Sequence, residues 1–405
     1  MKILKISSFY PRYLDDFYFK NPNLRKVPFS KQQEKLNYDA FGWADFWPHA
    51  LGGSEYEMTE ITANNRHAQL AWARENNLNL DDKNWYVEIL RAQARKINPD
   101  LLFFEDRNIS RDTIESVKSV CPNLRHTTAW CGTHYKHISE FDEFDSVIGC
   151  IPDVNQDLQK KGARVFHLSH AFDTRILERV PMTGKKHNLS FVGQILDSKG
   201  MHGTRSKYLE TLASNTDIEI FSPQLLTGIK SVAKVSAHKA LYGLAGIVKK
   251  NHSVSEMVRG SDIGKKILEL EEPPAAISKR LRSHMRPAVF GLEMFSTMRN
   301  SNISFNIHIE ASKNSASNMR LFEATGMGSC LLTDNKKNLS EFFKENVEVM
   351  TYDSQEDCLE KISWLQKNQS VREKIAKKGQ EKTVTNHTFS ERVKDFVKIL
   401  DEVSK

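Results

Sequence analysis

Apolar and polar positions alternate along this chain in two rhythms that follow one another. "MKILKISS" (1–8) has a strand's pattern, and the aromatic-rich "FYPRYLDDFY" after it is expected to be a loop. "FSKQQEKLNYDAFGWADFWPHAL" has helical spacing and stops at Gly52-Gly53. "EYEMTEIT" alternates as a strand does. "DKNWYVEILRAQARKINP" predicts an amphipathic helix with Trp85, Ile89, Leu90 and Ala94 near one face, ending at Pro99. "DLLFFED" then reads as a buried strand. "TIESVKSV" with "TTAWC", and "FDEFDSVIGC" with "VNQDLQKKG", repeat the unit. Strands and helices alternating through short loops imply a parallel, doubly wound sheet.

A second series starts near residue 188. "NLSFVGQIL" is a strand running into a glycine loop, "RSKYLETLAS" a helix and "DIEIFSP" a strand. "FGLEMFSTMRNS" leads into the strand "ISFNIHI". Three helical segments close the chain: "QEDCLEKISWLQKN", "SVREKIAKKGQEKTV" and "FSERVKDFVKILDEV". The expected fold is α/β, with two doubly wound parallel-sheet domains facing a cleft. Residues 1–170 form the first domain and 171–388 the second, and a last helix over 389–405 packs back on the first. Residues 224–288 fit neither series. They are helical in tendency and basic, and are either a solvated excursion or a surface for a phosphate-bearing acceptor or a membrane.

A chain of 405 residues is too long for one ordinary core, consistent with two domains. Its 39% hydrophobic and 27% charged residues describe a globular protein. No apolar run approaches the roughly 20 residues that cross a bilayer. The first residues lack a signal peptide's apolar core, so a cytoplasmic location is the default, and the basic stretch 224–288 leaves peripheral contact with the inner membrane face open. Five cysteines with no CxxC or zinc-like spacing read as reduced and structural. The net charge of +7 is mild, and without a nucleic-acid-binding motif it does not point to nucleic acid.

The candidate chemistry concentrates in "SNISFNIHIEASKNSASNMRLFEATGMGSCLLTD" (301–334), a strand, a Ser/Asn-rich passage, a short helix and a second strand. Arg320 and Glu323 share a helix face. Elsewhere that would be an ordinary surface ion pair, but this helix follows a strand at the carboxyl edge of a sheet. Free N–H groups and small hydroxyls in "NSASN" favour an anion such as phosphate. A carboxylate one turn further could accept two hydrogen bonds from a ribose diol. Together they would accommodate a nucleoside diphosphate.

"NMRLFEATGMGSCLLTD" resembles the donor-site signature of the CgeB-like glycosyltransferases, a branch of the GT-B group. The likeness extends over "FGLEMFSTMRNSNISFNIHIEAS" before it and "EFFKENVEVMTYDSQEDCLEKISWLQKNQSVREKIAKKGQEKTVTNHTFSERV" after it. In the first half, "KQQEKLNYDAFGWADFW", "AQLAWARENN" and "LRAQARKINPDLLFFED" also resemble bacterial members. It spans most of the chain and fades in 224–288. The resemblance implies a GT-B enzyme whose C-terminal half binds a nucleotide sugar and whose N-terminal half binds the acceptor. By position, Glu323 would hold the ribose hydroxyls, and Arg320 and Asn318 would support the phosphates or order the loop. Gly193, in "SFVGQ", would let backbone approach the diphosphate. Lys199 and Arg205 flank the next loop and could neutralise the leaving diphosphate without a metal or other cofactor. "QILDSKGMHGTR" departs there from the commoner glycine-plus-basic pattern. His308, in "FNIHIEAS", is either a donor-site group or a core residue.

No Asp-x-Asp motif is present, and Glu140, Asp142, Glu143 and Asp145 read as surface or helix-start charges. In the first half, the loop after "TTAWCGT" offers His134 as a base or sugar-binding group, with Thr133 and Tyr135 beside it and His137 one turn on. A lone loop histidine more often does neither. Tyr10, in "SSFYPR", could stack on a sugar. The leading expectation is sugar transfer from a nucleotide-diphosphate sugar to a glycan, lipid-linked or protein acceptor, in surface polysaccharide or glycoconjugate assembly. A nucleotide-sugar 2-epimerase and a non-catalytic sugar- or partner-binding member are the alternatives.

Overall fold

The structure, a computed structural model, describes residues 1–81, 83–106, 109–195, 203–224, 240–243, 245–248, 255 and 277–404. Its parallel strands form two six-stranded sheets. The chain divides into two compact units, Met1–His187 with Phe290–Lys405, and Asn188–Val289.

In the first unit, β1 (Lys2–Ser7), β2 (Glu57–Thr62), β3 (Leu101–Phe104), β4 (His126–Cys131), β5 (Ser146–Gly149) and β6 (Val165–His167) build a sheet in the order β2-β1-β3-β4-β5-β6. Ile6 faces Ile61 on one side and Phe104 on the other. The winding direction reverses at β1, so the loops after β1 and β3 meet at a switch point, where open α/β sheets bind ligands. All of Leu101–Phe104 is buried, as a strand covered on both faces requires. Leu4, Ile6, Ile61, Leu90, Leu102, Phe104, Ile114 and Val117 form one core cluster.

Two elements differ from the sequence expectation. The aromatic stretch after β1 is a helix, α1 (Pro11–Lys20), not a loop. Pro11 starts it without a wasted N–H, and Tyr13, Leu14, Phe17 and Tyr18 bury one face. The helical pattern over 29–51 is two helices, α2 (Phe29–Tyr38) and α3 (Phe46–Ala50). Between them Ala40, Gly42 and Ala44 adopt φ of 58°, 63° and 42°, a left-handed backbone that no right-handed helix can contain.

The same unit holds β10 (Ser301–Asn306), β11 (Cys330–Asp334) and β12 (Met350–Tyr352), parallel and adjacent in the order β12-β11-β10. The three predicted closing helices are present, at Gln355–Lys367, Gln369–Asn386 and Phe389–Val403. The last carries Phe389 and Phe396 against Trp47, with ring centroids 4.8 and 4.7 Å apart. Gly326 allows the helix Arg320–Gly326 to meet Phe172, whose ring would lie 2.6 Å from an added Cβ.

In the second unit, β7 (His187–Val192), β8 (Glu219–Phe221) and β9 (Met285–Arg286) run parallel beside the helices Gly203–Asn215 and Lys279–His284. Leu189, Phe191, Leu209, Leu212, Ile218 and Ile220 are buried there. Most of the basic stretch 224–288 lies outside the described residues. All five cysteines are free and buried.

Candidate functional site

The segment 301–334 builds its polar centre from strand ends. Asn306 closes β10, and its amide donates to Thr333 Oγ1 at 2.9 Å. Asn318 donates back to Asn306 Oδ1 at 2.8 Å, so Asn318 orders the loop before the short helix. Tyr352 donates to the Asn306 carbonyl at 2.8 Å from β12. The helix Arg320–Gly326 has one turn of buried residues, and Glu323 is only 4% exposed. Arg320 donates to Glu323 through Nη1. A carboxylate that far from water needs such a partner.

The hydroxyls expected to greet a phosphate are engaged within the protein. Ser312 and Ser317 bond each other at 2.8 Å, and Ser315 donates to Asp153 Oδ2 at 2.8 Å. The Asn314 backbone N–H reaches the same Asp153 oxygen at 3.2 Å. These bonds hold the Asp153 carboxyl below its ordinary value although burial opposes them. The Ser-rich loop is therefore tied to the start of the helix Pro152–Lys160 and is not an open anion cradle.

His308 is buried, and its Nδ1 lies 2.7 Å from Asp334 Oδ1 at the end of β11. The His308 backbone N–H donates to the same oxygen at 3.0 Å, and Lys336 pairs with Oδ2 at 3.1 Å. Burial raises the Asp334 carboxyl, but His308 and Lys336 outweigh it and hold the group at about 2.

At the switch point of the first sheet, Lys5 is fully buried between Glu60, 2.8 Å away, and Glu105, 2.6 Å away. Burial alone would lower the Lys5 pKa, but Glu105 and Glu60 reverse the sign. Glu105 follows β3, and its side chain is 25% exposed. Tyr10, between β1 and α1, is 57% exposed. Its hydroxyl is shifted upward by surrounding protein, with Arg320 pulling down and Glu105 pushing up. Tyr10, Glu105 and Arg320 thus share one electrostatic neighbourhood across the two sheets' loops.

The other predicted residues are placed as follows. His134 is exposed just past β4, its ring 6.0 Å from Tyr135, and the carbonyl of Thr133 accepts from Cys131 Sγ at 3.3 Å. His137 is not on a shared helical turn with His134, because the intervening residues are irregular. Gly193 follows β7, and its N–H donates to the Phe221 carbonyl at 3.1 Å. Arg205 is buried and donates to the Gln194 carbonyl at 2.9 Å, fixing the start of the following loop. Lys199 lies outside the described residues. Glu140 accepts from the backbone of Lys136 and His137, and Asp145 from Thr127. Sequence reasoning missed Glu105, Asp153 and Asp334. The signal for Glu105 and Asp334 was present, since each stands at the carboxyl end of a buried strand.

Residues 262–398 match the family model described as glycosyl transferase-like. Two solved structures share the fold over nearly the whole chain. The Anabaena protein HepE, solved in complex with UDP-glucose, has a TM-score of 0.54 and 10% identity, covering 99% of this chain and 100% of that one. Sucrose-phosphate synthase from Thermosynechococcus elongatus has a TM-score of 0.52 and 9% identity, covering 100% and 99%. The chain has a GT-B fold, and residues 262–398 of it are similar to the glycosyl transferase-like family. No curated protein sequence matches it. The matched region contains Glu323, Arg320, Asn318 and His308, so the family signal and the polar centre coincide. The family match points to glycosyl transfer, and the solved structures show the fold.

Proposed function

We propose that this chain is a metal-independent GT-B glycosyltransferase of the CgeB-like branch. It moves a sugar from a nucleoside-diphosphate sugar to a glycan, lipid-linked or protein acceptor in surface polysaccharide or glycoconjugate assembly. The observation that carries the reading is Glu323, a buried carboxylate in the first turn of the helix Arg320–Gly326, ordered by Arg320 and lying within the matched region. Its oxygens are suited to the two hydroxyls of a ribose. Arg320, with its side chain 27% exposed, supplies fixed positive charge beside it. Gly193, Lys199 and Arg205 are assigned to the diphosphate, which basic groups neutralise as a metal does in other enzymes.

On the acceptor side, the reading places Tyr10 and Thr133 against the incoming group and His134 as the base. Glu105 joins them because its carboxylate stands at the sheet's switch point in the same field as Tyr10 and Arg320. An anionic membrane surface is the proposed setting for a lipid-linked acceptor. Lys279, Arg280 and Arg282 are exposed on one short helix and supply part of the attraction.

Incubation with UDP-, GDP- and ADP-sugars and a mixed acceptor panel tests the activity. Release of nucleoside diphosphate that depends on acceptor and survives EDTA is expected. Turnover lost to EDTA and restored by magnesium would overturn the metal-independent assignment, and turnover without acceptor to an epimeric sugar would favour an epimerase.

A further inference from the structure

We propose that Asn314 and Ser315 form a binding site for a phosphate oxyanion, and that Asp153 fills it as the chain's own stand-in until such a ligand displaces it. The site stands on its geometry; that the phosphate belongs to a nucleotide sugar rests on the donor-site reading above. Three donors meet on the Asp153 carboxylate: Ser315 Oγ at 2.8 Å and the Asn314 backbone N–H at 3.2 Å on Oδ2, and the Asn314 amide at 3.4 Å on Oδ1. Burial pushes this carboxyl up, but Ser315, Asn314 and then the charge of Lys336 hold it below its ordinary value. A hydroxyl, N–H groups and a nearby cation that stabilise a carboxylate stabilise a phosphate through the same bonds, because both present accepting, negatively charged oxygens.

The donors keep their places without Asp153. The Ala316 N–H donates to Asn338 Oδ1 at 2.6 Å, Asn338 Nδ2 returns to the Ala316 carbonyl at 3.3 Å, and the Lys337 N–H donates to the Asn314 carbonyl at 3.0 Å. They also lie inside the region 262–398 matched by the family model, whereas Asp153 lies outside it. Solvent reaches the place, since Lys313 and Asn314 are exposed and Asp153 is only partly buried. Ser315 is buried, with its hydroxyl turned to Asp153. Released from the loop, Asp153 remains in the first turn of the helix Pro152–Lys160, where a negative charge is favoured. An internal carboxylate of this kind lowers the apparent affinity of an anion by the fraction of chains in which the site is open.

The test is calorimetric titration of wild type, Asp153→Asn, Asp153→Ala, and Asp153→Ala combined with Ser315→Ala, each checked for folding by its thermal melt. The probes are inorganic pyrophosphate, UDP, GDP and ADP, and farnesyl phosphate as a lipid phosphate. Asp153→Ala should bind pyrophosphate about tenfold more tightly than wild type, as for a site open in about one chain in ten. Asp153→Asn keeps the shape without the charge and should gain less, and it carries the test if the alanine variant does not fold. The double variant should lose most of the gain, because the hydroxyl is gone. A gain shared by the nucleoside diphosphates assigns the phosphate to the donor. A gain confined to pyrophosphate and farnesyl phosphate assigns it to a phosphate-bearing acceptor. Folded variants that bind no probe more tightly than wild type would overturn the proposal and make Asp153 a structural tie. The donor-site reading would survive that result if wild type still binds a nucleoside diphosphate. Nucleoside diphosphates that bind neither wild type nor variant, while pyrophosphate gains, would refute that reading and leave this site standing.

Discussion

Asp334 shows how much one strand-end carboxylate can carry. It ionises at about 2 in the fold, against about 3.9 in an unfolded chain. As pH falls, the unfolded state takes up the proton first. The stabilisation is complete above about pH 4 and is lost as pH falls through 2, with a size on the order of 2–3 kcal/mol. Asp334→Asn should lower stability at pH 7 and flatten the acid decline below pH 4, measured by urea unfolding across pH. An unchanged decline would contradict the pairing with His308. The pairing of Glu323 with Arg320 was legible because their spacing puts them on one helix face. The His308–Asp334 pair was not, because it depends on strands β10 and β11 lying side by side, and single-sequence periodicity does not carry that pairing.

Among elements, periodicity located the longer strands and the three closing helices, because each has an unbroken apolar rhythm, and missed the short β6, β9 and β12. It failed where backbone conformation overrode side-chain pattern. Pro11 opens a helix whose aromatic residues resemble a loop's, and the left-handed residues at 40–44 cut one helical pattern into two. Tertiary closeness was also hidden. Gly326 lies beneath Phe172 with no room for a methyl group. Gly326→Ala should destabilise by about 1–3 kcal/mol through overpacking, visible as a lowered Tm, and a variant as stable as wild type would refute the contact. Phe396, held between Trp47 and Phe103, should cost about 3–5 kcal/mol when truncated to Ala. For the helix Lys279–His284, replacing Lys279, Arg280 and Arg282 by Ser should weaken flotation with anionic vesicles at low salt and spare nucleotide binding. Equal flotation with neutral vesicles would remove the membrane from the account.

At the scale of the molecule, two buried histidines set the acid limit. His170, packed against Trp43 and Trp130, is depressed by burial to about 3, and His387, among Phe322, Phe342 and Phe343, to about 4. Both are neutral in the fold and gain protons more readily once unfolded. Their contribution is present above the ordinary histidine value of about 6.5 and is lost as pH falls through their folded values. Stability should therefore begin to fall below about pH 6.5, and His387→Gln should flatten that decline. The account's central claim is that this two-sheet chain binds a nucleoside diphosphate sugar through the segment 301–334. It is tested most directly by titrating wild type and Glu323→Ala with nucleoside diphosphates under conditions where both are folded. The account predicts saturable binding by wild type that is at least about tenfold weaker in the variant, from the loss of charged hydrogen bonds, with Glu323→Gln between the two. Equal affinity in wild type and Glu323→Ala would contradict it.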